Sequence, residues 1–351
     1  MFKLEPFWIF FSAILLLIIS IILMRVILPW LIRKLKEKGK VGIDVHKLDK
    51  PEIAEMGGIS VLIIACAVAI LPMIFSDIFI VKIQMVVFIL VVGISGFIGL
   101  IDDIYGLGSK MKPLLIASAS IPLLIANLIY FNQIFNPKPD FPLVGQGFDI
   151  DYLYWILVPV GIAMAANAVN MMDVVNGSMA GPSVIMFGVL LICSLLKQPM
   201  SEVGALLSAI MLGIMIIFYK YNRFPARVFS GDVGSMAIGG ALGAIAIMGG
   251  LEIVAIVVAM PFIINAFQIL TSVRGFVEGR KHKIRPSTVQ SDGTIAANTD
   301  SRAPITLMRI IMAKGPQKEP EIARNFTSLT LFCGVLAIIT LILTDYLYLN
   351  L

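Results

Sequence analysis

Charge is scarce in this sequence. Asp, Glu, Lys and Arg make up 14% of its 351 residues, where a soluble domain carries about 25%. Too little charge is present to clothe a globular surface in water, and the soluble classes are excluded. Cysteine and histidine are also few, three and two respectively. Cys66, Cys193 and Cys333 each lie inside an apolar run. That placement excludes a disulfide frame or a cysteine zinc site and makes them packing residues. The histidines, His46 and His282, stand far apart, and His46 reads as structural or peripheral rather than catalytic. A cleaved leader is not expected: the first apolar run is too long, with no small-residue cleavage site before the basic stretch that follows.

What the chain has in quantity is apolar sequence, 59% of it. Runs long enough to cross a bilayer, about 20 residues each, fall at 7–32, 57–76, 82–101, 113–131, 152–169, 181–197, 201–220, 235–250, 252–273 and 326–348. They predict an all-α polytopic membrane protein of about ten transmembrane helices, forming a single integral-membrane domain over residues 1–351. The break between the eighth and ninth runs is only Gly249-Gly250-Leu251-Glu252. Residues 132–151 have turn composition and are expected to form a short hairpin or lid.

A net charge of +5 could suit nucleic acid, but the placement of the basic residues argues for topology instead. The loops 33–56, 102–112, 170–180, 221–234 and 274–325 must share one side. They hold most of the lysine and arginine, from Arg33 and Lys34 through Lys110 and Lys112 to Arg280 and Arg324. The other side holds only Lys3, Lys82, Lys138 and Lys197. By the positive-inside rule the first set is cytoplasmic, and both termini lie outside. No nucleic-acid partner is expected; the partner is the lipid bilayer.

Every polar cluster that looks chemical falls on that cytoplasmic side. Asp102 and Asp103 sit side by side at the end of one apolar run, followed by Lys110 and Lys112. Adjacent carboxylates at a membrane boundary are costly unless a cation meets them. Asn167, Asn170 and Asp173 recur every three residues, which on a helix puts them within one broad face. Asp232 stands between glycines in apolar surroundings and is their natural partner. Amide and carboxylate oxygens without cysteine or histidine clusters suit Mg2+ or Mn2+ rather than zinc, and magnesium in turn suggests phosphate. Lys281, His282 and Lys283, flanked by Arg280 and Arg285, offer consecutive donors able to clamp phosphate oxygens. The physical reading is a membrane enzyme acting on phosphate groups, with a lipid as one substrate. Blander readings exist for each part: topology signals for the basic runs, a helix cap for Asp102-Asp103, a plain turn for Asn176-Gly177. The joint placement of the clusters on one face favours the enzyme.

The residues that carry this reading also carry a resemblance. Gly99-Leu-Ile-Asp-Asp, the stretch from Asn167 through Asn170 to Asn176-Gly177, and Phe229-Ser-Gly-Asp232 resemble the polyprenyl-phosphate N-acetylhexosamine-1-phosphate transferases, glycosyltransferase family 4. The order is kept from about Asp44 to Lys283. Lys281-His282-Lys283-Ile284 resembles the Arg-His-Arg-Ile loop of the eukaryotic and archaeal branch, while Asp173 follows the bacterial pattern. Asn176 stands where bacterial members carry Asp, and Gly106 where eukaryotic members carry Asn. This mixture suits an archaeal cell membrane, or the endoplasmic reticulum if the chain is eukaryotic.

The resemblance implies transfer of GlcNAc-1-phosphate from UDP-GlcNAc to dolichyl or another polyprenyl phosphate. The products are a lipid pyrophosphoryl sugar and UMP, the first step of lipid-linked oligosaccharide synthesis for N-glycosylation. It implies that Asn170, Asp232 and Asp173 hold the metal. Lys281, His282 and Lys283 grip the UDP-sugar diphosphate, Lys112 the lipid phosphate. Asp102 is a base or orienting acid with Asp103 beside it, and Asp44 and Asn176 shape the nucleotide end. A related transferase for another UDP-N-acetylhexosamine or phospho-MurNAc-pentapeptide remains open, as does a homodimer. A lipid-linked sugar flippase would need polar groups near mid-span and on both faces. A CDP-alcohol phosphotransferase would need a compact Asp-Gly, Asp-rich motif that this sequence lacks.

Overall fold

In the computed structural model, residues 6–137, 139, 150–273, 275 and 284–350 are described. The first helix, α1 (Pro6–Glu37), shows how the sequence solves the bilayer problem. Ile9, Ala13, Leu16, Ser20, Met24 and Leu28 recur every three or four residues and face protein. Phe10, Phe11, Ile18, Ile22 and Val26 lie on the other side, exposed. An apolar outer face is what lipid requires, and every backbone polar group within the span is satisfied by the helix itself.

The chain continues through α2 (Gly58–Phe75), α3 (Phe79–Tyr105), α4 (Met111–Ala117), α5 (Ile121–Ile129), α6 (Asp151–Met172), α7 (Ala180–Leu196), α8 (Glu202–Asn222) and α9 (Gly231–Gly249). It ends with α10 (Glu252–Val258), α11 (Met260–Ser272), a short α12 (Leu307–Ile311) and α13 (Glu319–Asn350). Helices α4 and α5 form one span, Met111–Ile129. Among the described residues eight spans are long and apolar enough to cross a membrane. The pair α10 and α11, bent by 68°, makes a ninth. The apolar α7, 17 residues long, is shorter than these spans, so among the described residues eight or nine helices stand where about ten were expected. The expected all-α membrane architecture is therefore present. The bend follows from Pro261 in the first turn of α11, where a residue without an N–H begins a helix well but does not continue one.

Helix α9 is the centre of the bundle: every residue from Val233 to Gly249 is buried. Its glycine- and alanine-rich sequence lets backbones approach where bulky side chains would hold them apart. The approach is closest at the end of the bundle that carries the polar clusters. A Cβ added to Gly99 of α3 would lie 2.3 Å from the carbonyl oxygen of Asp232. One added to Gly58 of α2 would lie 2.0 Å from the Cα of Gly234. Hydrogen, and nothing larger, fits at both positions.

Two short hairpins cover this end. Strands β1 (Val41–Ile43) and β2 (Glu52–Ala54) pair antiparallel, Val41 opposite Ala54. Ala54 then bridges to Val228, with the Phe229 N–H donating to the Ala54 carbonyl at 2.8 Å. The loop after α1 is thereby stitched to the start of α9. Strands β3 (Ser287–Val289) and β4 (Ile295–Ala297) form the second hairpin, and Ile295 bridges to Gln317.

These hairpins and α12 lie within the connections 33–56 and 274–325. The spans also run further than their apolar runs. Asp102 and Asp103 lie within α3, Asp232 within the first turn of α9, and residues 319–325 within α13. Such polar helix ends fall outside a hydropathy window but inside the helix. For the expected hairpin or lid at 132–151, residues 138 and 140–149 lie outside the described residues.

Candidate active site

The ends of α3, α6 and α9 and the start of α4 meet around a cavity of about 560 Å³. Its wall includes Asp44, Asp102, Asp103, Lys112, Asn170, Asp173, Asn176 and Asp232, candidates drawn from four separate stretches of sequence. Lys281, His282 and Lys283 lie outside the described residues.

At the centre stands the Lys112 ammonium. Its Nζ lies 2.6 Å from Asp102 Oδ2 and 3.0 Å from Asp232 Oδ2. It also donates to Asn170 Oδ1 at 3.4 Å. Asn170 Nδ2 donates to Asp232 Oδ1 and, at 2.8 Å, to Ser235 Oγ. Asp102 Oδ1 accepts the N–H of Leu107, just past the left-handed Gly106 that ends α3. Two carboxylates from different helices thus share one cation, which offsets the cost of taking either out of water.

Asp103 has another task. Its Oδ1 accepts the N–H of Asp232 at 2.8 Å and its Oδ2 the N–H of Val233 at 3.0 Å. It caps the first turn of α9 from a neighbouring helix, meeting amides that have no partner within α9. Asp103 therefore sets where Asp232 stands, and its own oxygens are already engaged. Asp103→Asn retains one acceptor and turns an N–H2 toward the other amide. The expected result is an intact protein with kcat lowered about tenfold, a cost of about 1.4 kcal/mol. Turnover by purified enzyme checks it.

Asp173 ends α6 and lines the same cavity, but its Oδ2 accepts from Ser230 Oγ rather than from the Lys112 group. Burial raises the Asp173 carboxyl to about 6, against the opposing pull of the Ser230 hydroxyl. His46 also lines the wall; burial lowers its imidazole from the usual value, with Asp44 acting the other way. Asn167, grouped with Asn170 by spacing, spends its Nδ2 on the Ala163 carbonyl at 2.7 Å.

The oxygens of Asp102, Asp232 and Asn170 converge on the Lys112 ammonium; as donors they are of the hard oxygen kind that suits a magnesium or manganese ion. Among the described residues no three carboxylates, imidazoles or thiols gather around a point. The converging set is two acids and an amide.

One buried acid escaped the sequence reading. Glu319, 4% exposed, opens α13 and reaches the loop at Asn176. Its only signal is an acid just ahead of the last apolar run, and a span begun at 326 leaves it in an ordinary loop.

Acids, amides and a lysine converging at one end of a polytopic bundle define an integral-membrane enzyme for charged substrates, and comparison with known proteins sharpens the class. The model for glycosyl transferase family 4 matches residues 83–250, the segment containing Asp102, Lys112, Asn170 and Asp232. A protein of Methanocaldococcus jannaschii, provisionally named a glycosyltransferase, is 27% identical over 92% of this chain and 94% of its own length. One of Saccharolobus solfataricus, provisionally named a UDP-N-acetylglucosamine–dolichyl-phosphate N-acetylglucosaminephosphotransferase, is 27% identical over 92% and 95%. The phospho-N-acetylmuramoyl-pentapeptide-transferase of Bacillus subtilis is 28% identical over 85% and 93%. The class is the phosphoglycosyl transferases of membranes. Within it, the family match and these relatives support the polyprenyl-phosphate hexosamine-1-phosphate transferase superfamily.

Proposed function

We propose that this chain transfers N-acetylglucosamine-1-phosphate from UDP-GlcNAc to dolichyl or another polyprenyl phosphate, releasing UMP. The observation that carries the reading is the meeting of Asp102, Lys112, Asn170 and Asp232 on one cavity at a bundle end. The preference for GlcNAc and dolichyl phosphate rests on the provisional name of the Saccharolobus relative and on the Lys281-His282-Lys283-Ile284 loop. The product would begin a lipid-linked oligosaccharide for protein N-glycosylation in an archaeal cell membrane. The basic residues of the site-side loops support, by the positive-inside rule, a cavity on the cytoplasmic side, where nucleotide sugars are found, and both termini outside.

Two sets of phosphate oxygens must come together, and their repulsion is the main obstacle. Asn170 and Asp232 would hold a magnesium ion, which would supply charge neutralisation on the donor diphosphate. Asp173 remains within the same wall as a further oxygen donor. Lys281, His282 and Lys283 grip that diphosphate, and Asp44 and Asn176 shape its nucleotide end. Lys112 neutralises the acceptor phosphate and aims it at the sugar-bearing phosphorus. A phosphate monoester is already largely ionised near neutral pH, its second pKa being about 6. No strong base is needed, and Asp102, with one oxygen on Lys112 and the other on the Leu107 amide, acts by orienting the lysine. Positioning and charge neutralisation then supply the rate.

Washed membranes carrying the protein, given UDP-GlcNAc, polyprenyl phosphate and magnesium, should release UMP in proportion to lipid-linked sugar. UMP release independent of the polyprenyl phosphate, or none with any UDP-N-acetylhexosamine, overturns the reading. Faster turnover with another UDP-sugar would move the assignment to that sugar.

A further inference from the structure

Away from the Lys112 group, the cavity wall is held by a closed ring of four side chains from three distant parts of the chain. Lys47, in the loop between β1 and β2, pairs with Asp44 and lies 3.3 Å from Glu319 Oε2. Glu319 Oε1 accepts the backbone N–H of Asn176 at 2.8 Å. Asn176 Nδ2 donates to Asp44 Oδ2 at 3.0 Å and closes the ring. Asp44, Asn176 and Glu319 are 3%, 4% and 4% exposed. The Lys47 ammonium also stands 4.8 Å from the Phe224 ring centroid, favourable for a cation near an aromatic face.

The chemistry of the ring dictates how Asn176 faces the cavity. An ionised carboxylate only accepts hydrogen bonds, so the amide must turn its Nδ2 toward Asp44. Its Oδ1 is left as an acceptor of fixed orientation, on a residue that lines the cavity. Glu319 holds both supports of that arrangement: the main chain of Asn176 directly, and Asp44 through Lys47. Glu319 itself is absent from the cavity wall. Burying two acids and one lysine is expensive, and the last membrane span contributes its first residue to the ring.

We infer that Glu319 is a positioning residue for the donor end of the cavity: it orients Asn176 and Asp44 toward the nucleotide sugar and does not act on the acceptor lipid. The inference rests on the proposed transfer reaction for the identity of the donor. It divides the cavity into two independently supported ends, one built on Lys112 and one on Glu319.

The test compares purified wild type with Glu319→Ala and Glu319→Gln in lipid nanodiscs. UDP-GlcNAc binding is measured by titration calorimetry, and steady-state constants for both substrates by UMP release. For Glu319→Ala the donor Kd and KM should rise about tenfold, with the polyprenyl-phosphate KM unchanged and kcat within about threefold. Glu319→Gln keeps an acceptor for the Asn176 amide and should recover the donor constants to within about threefold. A merely structural role would lower kcat, or raise both KM values together, with glutamine no better than alanine; any of these overturns the inference. Should Glu319→Ala fail to fold, Glu319→Asp replaces it, expected to raise the donor KM alone by about threefold, and no such split overturns the inference. If wild type binds UDP-GlcNAc without turnover, the reaction fails while the Kd comparison still decides Glu319. If wild type does not bind UDP-GlcNAc, both fall.

Discussion

Asp232→Ala is expected to lower kcat by about 10³-fold or more, a loss of about 4 kcal/mol in the transition state, while the protein remains folded. Asp232 is where three supports meet. Its backbone N–H is held by Asp103, one carboxylate oxygen by Asn170 and the other by Lys112. Alanine keeps the backbone bond to Asp103 and removes the negative charge. Lys112 retains Asp102 at 2.6 Å, so the lysine is not left as an uncompensated buried charge, the situation that destabilises a fold most. Loss of turnover should therefore separate from loss of structure. The check is UMP release at saturating magnesium together with a thermal unfolding curve in detergent. Turnover near wild type would remove Asp232 from the site; a protein that no longer assembles would make it a structural residue.

The second large effect is expected at Lys112. Lys112→Ala should lower kcat/KM for polyprenyl phosphate by about 10³-fold and leave UDP-GlcNAc binding nearly unchanged. The side chain starts from the second residue of α4 and is drawn inward by acids on α3 and α9. Without it, Asp102 and Asp232 face one another with no cation between, and like charges at that range disfavour joint ionisation. Added magnesium relieves this in the variant more than in wild type, since it supplies the missing charge. The variant should accordingly gain more thermal stability from millimolar magnesium than wild type does. A wild-type response to polyprenyl phosphate would remove Lys112 from the acceptor site, and equal stabilisation of the two proteins would argue against Asp102 and Asp232 as a cation-binding pair.

Much of the site is legible in the sequence. Scarce charge makes each acid at the end of an apolar run conspicuous, because burial there needs a reason. Asp102 and Asp232 stand out for that cause and Asn170 by its spacing, and the cavity has all three in its wall. Asp102 and Asp103 show where legibility stops. Adjacent in sequence, they look interchangeable, yet on a helix they point about 100° apart. One meets Lys112 and the other the free amides of α9. Asp173 shows the same limit: the three-residue spacing with Asn170 is real, but α6 ends between them, and Asp173 turns to Ser230.

Composition and the order of apolar runs by themselves determined the membrane class and the end of the bundle where chemistry gathers. Those properties follow from solvation, which acts on each residue wherever its neighbours lie. Which carboxylate faces a cation, which one caps a helix, and that Glu319 closes a ring with Lys47 across 272 positions were decided only by the fold. Each depends on a direction and a distance between helices, set where Gly58 and Gly99 let three backbones touch.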